Sequence, residues 1–132
     1  MDLQPGLKGE MEITVQEGDT ARASGDTTLP AVLSTPRLIG FLEITAHRAI
    51  LPFLAQGQTS VGSIVNITHL AATPLGMRAS FQAELLEVSG RRLRFRLEAW
   101  DEVEKIAEGE HVRFIIDRAR FESRLAEKSG KR

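Results

Sequence analysis

The chain has 132 residues, a formal net charge of −1 and no cysteine. We expect one domain over residues 1–132 that buries its own core, and the small net charge excludes the strong basic field of nucleic-acid-binding proteins. The lack of cysteine excludes disulfides, thiolate nucleophiles and cysteine zinc sites, and it favours a cytoplasmic location. We expect no signal peptide in residues 1–10 and no membrane span, because no apolar run is long enough.

The first third of the chain predicts a strand, a loop and then a long helix. Residues 7–15 alternate loosely between apolar and polar, which indicates a strand. Residues 18–30 are rich in Gly, Thr and Ser and predict an irregular loop or a short second strand.

The helix is predicted to begin at Ser34-Thr35-Pro36, with a hydroxyl at the N-cap and proline at the first helical position. Pro52 is expected to tighten the last turn, and Gln56-Gly57 is a plausible stop. The apolar residues recur at three- and four-residue steps and predict one buried stripe: Leu38, Ile39, Leu42, Ala46, Ala49, Ile50, Phe53 and Leu54.

The rest of the chain predicts four strands, at about residues 60–69, 79–85, 92–99 and 106–116. The third of these has the clearest alternation, and in the last one Val112, Phe114 and Ile116 are expected to share a face. A short helix from Arg118 and a frayed basic tail over residues 129–132 are expected to follow.

The strands are joined by short connections, which favour antiparallel neighbours. One amphipathic helix then covers one face of the sheet. The order of elements therefore predicts an α+β fold.

Glu43 is the unusual residue of the helix. At about 100° per residue it lies about 40° from Ile39 and about 20° from Ile50, within the apolar stripe. Burying a carboxylate costs several kcal/mol unless it is paired. Glu43 therefore either reaches the rim or pairs with an arginine, or it is held at a cleft as a catalytic base or nucleophile.

The other polar candidates are a threonine and three histidines. His69 ends a predicted strand, where it is either a turn residue or a catalytic group. The Thr35 hydroxyl is most simply a helix cap, and His47 and His111 are assigned to structural roles. The spacing of the three histidines does not form a recognisable metal site.

In their order and spacing, these segments resemble the hot-dog thioesterase family, in its fluoroacetyl-CoA thioesterase branch. The resemblance covers about residues 5–128. The segments that carry it are Val32-Leu33-Ser34-Thr35, Gly40-Phe41-Leu42-Glu43, Val61-Gly62-Ser63, Thr68-His69-Leu70-Ala71-Ala72-Thr73-Pro74-Leu75-Gly76, Ala83-Glu84-Leu85, Gly90-Arg91-Arg92-Leu93 and Gly109-Glu110-His111-Val112-Arg113.

This resemblance implies a hot-dog fold, an antiparallel sheet wrapped around one long central helix, and hydrolysis of acyl-CoA thioesters. It implies a catalytic Thr35, Glu43 and His69, with the backbone amide of Gly62 polarising the thioester carbonyl and Arg113 near the CoA or the site rim. It also implies a homodimer or a dimer of dimers with acyl sites at the dimer interface, and no cofactor, since CoA is part of the substrate.

The segment ahead of the helix departs from the fluoroacetyl branch, because residues 18–33 are short and contain no aromatic residue. The implied substrate is therefore a small or medium acyl thioester without a specified acyl group. The alternative function is non-catalytic binding of acyl-CoA on the same fold. A hot-dog dehydratase or hydratase is disfavoured, since its usual helix pattern is not present.

Overall fold

The computed structural model describes residues 2–132. The strands and α-helices are β1 Lys8–Thr14, α1 Thr35–Ile50, β2 Gln58–His69, β3 Arg78–Ser89, β4 Arg92–Asp101, β5 Lys105–Asp117 and α2 Arg118–Ser129. Between β1 and α1 the chain forms two 3₁₀ turns, Glu17–Asp19 and Arg22–Ser24, and isolated bridges. Of the two alternatives for this segment, the irregular loop is therefore correct.

The five strands form one antiparallel sheet in the order β1-β3-β4-β5-β2. Consecutive pairing of β3 with β4 and of β4 with β5 follows from their short connections. Helix α1 packs on one face, mainly against β1 and β3, so the predicted hot-dog arrangement is confirmed. Strands β1 and β2 are the two free edges.

The core lies between α1 and the sheet. Most of the predicted stripe is buried, with Leu38, Leu42 and Ile50 fully enclosed, and each such side chain contributes about 1.5–3 kcal/mol by leaving water. Ile39, Phe53 and Leu54 are half-buried, and the last two lie beyond the end of the helix. Gly9 of β1 allows the closest approach of helix and sheet, because a Cβ there would lie 2.5 Å from the Thr45 carbonyl oxygen.

The apolar face of strand β5 is not the face that is turned toward α1. Val112, Phe114 and Ile116 share one face, as predicted, but the opposite face, with His111 and Arg113, meets α1 in the interior. Alternation of apolar residues identifies the two faces of a strand but not which one is turned inward. The sheet therefore presents buried polar groups to the middle of the helix.

The N-terminus of α1 corrects one interpretation from the sequence. The helix is capped by Ser34, whose Oγ accepts a hydrogen bond from the Arg37 amide at 3.2 Å, so Thr35 is not the cap. Thr35 is the first helical residue, and Pro36 takes the second position instead of the first. The helix ends at Ile50, and Pro52 lies in the 3₁₀ turn Leu51–Phe53 that follows.

The short C-terminal helix α2 is capped by the Asp117 side chain and extends to Ser129, as predicted from residue 118 onward. It buries no residue. Among residues 2–132, no helix has the length and apolar character needed to cross a membrane.

Candidate active site

The structure places the predicted site residues in two groups. Glu43 lies with Gly62 and Arg113, whereas Thr35 is hydrogen-bonded to His69. The two groups share α1 and β2, but Thr35 begins α1 and His69 ends β2, whereas Glu43 lies in the middle of α1 and Gly62 in the first half of β2. Thr35 and Glu43 are eight residues apart, which is about 12 Å along a helix axis. Within one chain, the two groups are therefore separated.

Glu43 borders a cavity of about 400 Å³ between α1 and the start of β2, lined by Gly40, Glu43, Ile44, His47, Thr59, Ser60 and Arg113. Its side chain is 37% exposed, and its Oε2 lies 3.4 Å from Nη1 of Arg113. The carboxylate is thus neither fully buried nor unpaired. It is accessible from the cavity and held by one cation.

Gly62 lies directly against this carboxylate. A Cβ at this position would be 2.8 Å from Glu43 Oε2 and 3.3 Å from His111 Cε1. Any side chain at position 62 would therefore displace the carboxylate or the imidazole. The β2–β5 register also slips between Gly62 and Ile64, which marks a bulge at this point of the strand.

Arg113 lies in the interior rather than at the rim, with a side chain that is only 9% exposed. Its Nε donates to Ser60 Oγ at 2.8 Å, and its Nη2 donates to the Ser60 carbonyl at 3.0 Å. Its Nη1 faces both Glu43 and His111 Nε2, the latter at 3.2 Å. Burial lowers the pKa of Arg113 while the charge of Glu43 raises it, and the guanidinium keeps its proton.

Two histidines adjoin this arginine in their neutral forms. His111 Nδ1 lies 2.7 Å from the Ile64 carbonyl oxygen, and burial together with the charge of Arg113 lowers the pKa of His111. His47 Nδ1 lies 2.7 Å from Ser60 Oγ. Burial, Arg113 and Arg48 lower the pKa of His47.

The second group is the pair of Thr35 and His69. The Thr35 Oγ1 lies 2.8 Å from His69 Nδ1, which connects the first residue of α1 to the last residue of β2. The other ring nitrogen, Nε2, is buried and has no hydrogen-bond partner among the described residues. A buried polar atom is normally paired, and exceptions occur at sites that bind or react.

The comparisons with known proteins identify the family. A profile of the family described as "FlK: Fluoroacetyl-CoA-specific thioesterase" matches residues 15–119. The chain belongs to this thioesterase family. The fluoroacetyl-CoA thioesterase of Streptantibioticus cattleyicolor is 38% identical over 100 residues, which are 76% of this chain and 72% of that protein. The predicted family and its class of thioester hydrolases are thereby confirmed.

Solved structures agree with this family assignment. The structure of the fluoroacetyl-CoA thioesterase FlK superposes with a TM-score of 0.93 at 32% identity, over 97% of this chain and 98% of that one. A thioesterase superfamily member from Thermus thermophilus has a TM-score of 0.87 at 29% identity, over 98% and 97% of the two chains.

In this thioesterase, Ser60 was not identified from the sequence. His47 and His111 were predicted to be structural. A signal was present, because Ser60 and His111 each lie two residues before a predicted site residue, Gly62 and Arg113. Residues two apart in a strand share a face. Among residues 2–132, no group of three His, Asp or Glu side chains is arranged to hold a metal ion.

Proposed function

We propose that this thioesterase hydrolyses the CoA thioester of a small or medium acyl group in the cytoplasm, with Glu43 as its central reactive group. The observation that carries the proposal is the Glu43 carboxylate at a cavity of about 400 Å³, fixed by Arg113 and lying against Gly62. A carboxylate that is fixed by a cation yet open to a cavity is available to a bound substrate or water.

Hydrolysis through general-base catalysis would proceed in two steps. Water attacks the thioester carbonyl carbon while Glu43 takes the proton of the water, and negative charge develops on the carbonyl oxygen. The backbone N–H of Gly62 is the donor assigned to this oxyanion. The tetrahedral intermediate then expels the CoA thiolate, which takes up a proton, and leaves the carboxylic acid.

Glu43 also has a second route open to it. As a nucleophile, its carboxylate oxygen would attack the carbonyl carbon and expel the CoA thiolate, forming a mixed anhydride that water then hydrolyses. Both routes need the carboxylate ionised. Incorporation of labelled oxygen into Glu43 during single turnover in labelled water would distinguish the nucleophile from the base.

His69 is assigned to holding the attacking water or protonating the leaving thiolate, and Thr35 to positioning Glu43 or the thioester carbonyl. A protonated imidazole can act as a general acid toward a thiolate, and the hydrogen bond to Thr35 holds the ring of His69. The Nε2 atom has no hydrogen-bond partner among the described residues and is buried, so its use by a substrate or water requires the ring or its surroundings to move. This assignment needs the two groups of the site to come together, which a second copy of the chain would provide.

The free edge of β2 supports a homodimer. Among residues 2–132, strand β2 pairs with β5 alone, and near its middle Ile64 is 50% exposed and Val65 is 41% exposed. An unpaired edge with exposed apolar residues favours pairing with another strand. If two copies of β2 pair antiparallel about a two-fold axis between Val65 and Asn66, position 62 of one copy lies opposite position 69 of the other. Glu43 and Gly62 of one copy would then meet the partner copy's Thr35–His69 pair.

A panel of acyl-CoAs with free-thiol detection tests the function. We expect wild type to release CoA from short or medium acyl thioesters and Glu43→Ala to lose this activity. Binding of acyl-CoA without any release of thiol would instead favour the alternative, a non-catalytic acyl-CoA-binding protein.

Subunit complementation tests the shared site. Glu43→Gln and His69→Ala are each expected to be inactive alone, whereas a heterodimer of the two contains one intact site. Random exchange should restore about a quarter of the wild-type activity, because half of the dimers are mixed and each has one working site of two. Failure to restore activity in verified heterodimers, or a monomer by light scattering at micromolar concentration, would contradict the shared site.

A further inference from the structure

Arg113 is held mainly by groups other than Glu43. Of its four hydrogen bonds, two go to Ser60 at 2.8 and 3.0 Å and one goes to His111 at 3.2 Å, whereas the bond to Glu43 is the longest at 3.4 Å. The guanidinium of arginine commonly pairs with a carboxylate through two parallel bonds. Here only one nitrogen reaches only one carboxylate oxygen.

His111 can accept the bond from Arg113 in one protonation state only. Its Nδ1 faces the Ile64 carbonyl, which cannot donate, so Nδ1 carries the proton. Its Nε2 faces a guanidinium nitrogen, which cannot accept, so Nε2 carries the lone pair. The Ile64 carbonyl therefore selects the tautomer that binds Arg113.

Ser60 connects the arginine back to the helix that carries Glu43. Its Oγ accepts from Arg113 Nε, which leaves the hydroxyl proton free to donate to His47 Nδ1 at 2.7 Å. His47 lies one helical turn after Glu43 on α1. The chain of hydrogen bonds thus runs from His47 on α1 to Ser60 on β2 and Arg113 on β5. It returns to α1 at Glu43, one turn before His47.

We propose that Ser60 and His111 are positioning residues that keep Arg113 from forming a two-bond pair with Glu43. They fix the guanidinium so that it orients the carboxylate through one bond and leaves the other oxygen, Oε1, for water or substrate. Without them, Arg113 would turn toward Glu43 and occupy both oxygens. This inference rests on the proposed role of Glu43 and adds the residues that keep that carboxylate available.

The main test is Ser60→Ala. Ser80→Ala is the control, because it makes the same change at a half-buried serine of β3 outside the site, although Ser60 itself is buried. We expect kcat to fall roughly 10- to 100-fold with KM nearly unchanged, as for a misplaced catalytic group. The acid limb of the pH–rate profile should move to lower pH, because a two-bond arginine pair stabilises the charged carboxylate. The titratable groups facing Glu43 are Arg113 and His111 from β5 and His47 from α1, while the residues that β2 contributes, Thr59, Ser60 and Gly62, do not titrate.

A double-mutant cycle tests whether Ser60 acts through the arginine. Ser60→Ala should have little further effect in an Arg113→Ala background. If the fold changes in kcat of the two single variants simply multiplied in the double variant, Ser60 would act independently of Arg113, which would contradict the proposal. His111→Asn provides a second variant at the other acceptor and should change kcat and the acid limb in the same direction as Ser60→Ala.

An NMR titration separates this inference from the proposed function. The carboxyl carbon of Glu43 reports its protonation without any substrate, and its midpoint should be lower in Ser60→Ala than in wild type and in Ser80→Ala. An unchanged midpoint in a folded Ser60→Ala protein would overturn the positioning role even if the enzyme turns over. A lowered midpoint in a protein without turnover would support the positioning role and reject the function.

Discussion

The group formed by Glu43, Gly62 and Arg113 and the Thr35–His69 pair both draw on helix α1 and strand β2. They differ in how fully their polar atoms are hydrogen-bonded within the chain. Arg113 beside Glu43 makes four hydrogen bonds within the chain. His69 makes one side-chain hydrogen bond and leaves Nε2 buried without a partner among the described residues. Such an unpaired polar atom costs about 1–3 kcal/mol.

This difference indicates two ways of preparing a reactive group. The chain itself orients the carboxylate of Glu43 through several elements, so that end of the site is organised before substrate arrives. The imidazole of His69 is hydrogen-bonded at one nitrogen, and the other is buried without a partner among the described residues. The contrast predicts large effects of substitutions near Glu43 and smaller effects near Thr35.

The largest effect is expected for Glu43→Gln. This change keeps size and hydrogen bonding but removes the base, so kcat should fall by about 10² to 10⁴. The melting temperature should change little, because Arg113 retains Ser60 and His111 as acceptors. Turnover and melting temperature are measured on the same preparation. A destabilised variant that retains turnover would show instead that Glu43 is only a structural partner of Arg113.

Gly62→Ala should have the next largest effect. The new methyl group would lie 2.8 Å from Glu43 Oε2 and must displace it, and a displacement of about 1 Å can cost about 10² in rate. Steady-state kinetics should show the loss in kcat. Gly18→Ala is the control, because a Cβ at Gly18 meets no atom within 4 Å. Equal kinetics for the two variants would refute close contact between position 62 and the carboxylate.

Thr35→Val tests the contribution of the Thr35–His69 pair. It removes the hydrogen bond to His69 and preserves the shape of the side chain, and a bond of this kind contributes about 1 kcal/mol. We expect a fall in kcat of roughly five- to tenfold, since about 1.4 kcal/mol corresponds to tenfold in rate.

The neighbouring hydroxyl is the matched control for Thr35. Ser34→Ala removes the helix cap and should lower the free energy of unfolding by about 1 kcal/mol while turnover per folded molecule stays the same. If Thr35→Val lowered stability and Ser34→Ala lowered kcat, the roles assigned to the two residues would be reversed.

The smallest expected effect is a pH dependence of the free energy of unfolding that comes from the two histidines near Glu43. Burial lowers the pKa of His111 and of His47 below the ordinary value of 6.5, so the unfolded chain binds protons first as the pH falls. The free energy of unfolding should therefore decrease as the pH drops below 6.5 toward the lower folded-state pKa values. Urea unfolding between pH 7 and pH 5 measures this slope.

The histidine double variant His47→Gln/His111→Asn is the control for this slope. We expect it to be less stable at pH 7 but flatter between pH 7 and pH 5, since its polar replacements do not titrate. An unchanged slope would mean that the two histidines are not neutral in the folded protein.

The elements were predictable because their signals are local. Alternation over residues 92–99 and the apolar stripe of α1 each reflect one period of the backbone, and both were confirmed. The cap was not predictable in detail, because Ser34 and Thr35 are adjacent hydroxyl residues before Pro36 and either could begin the helix. Only the helical geometry shows that Ser34 caps it while Thr35 faces His69.

The site was predictable only where a motif marked it. Glu43, His69 and Thr35 were candidates by their positions in the predicted elements, whereas Gly62, Arg113 and the joint catalytic assignment came from the family resemblance, and all these catalytic roles stay predictions. Ser60 was not found, because its importance comes from a hydrogen bond to Arg113, 53 residues later in the chain. No periodicity within one segment can report such a contact.

The order of residues alone specified two helices, five strands of one sheet and the membership of a thioesterase family, because these depend on local periodicity and on motif spacing. Tertiary structure decided how the site is assembled. The pairing of β2 with β5 placed Ser60 and Gly62 beside Arg113, and the packing of α1 on the sheet placed Glu43 against both Gly62 and Arg113. Strand register is set by the packing of the whole sheet, and the contacts of the site follow from that register.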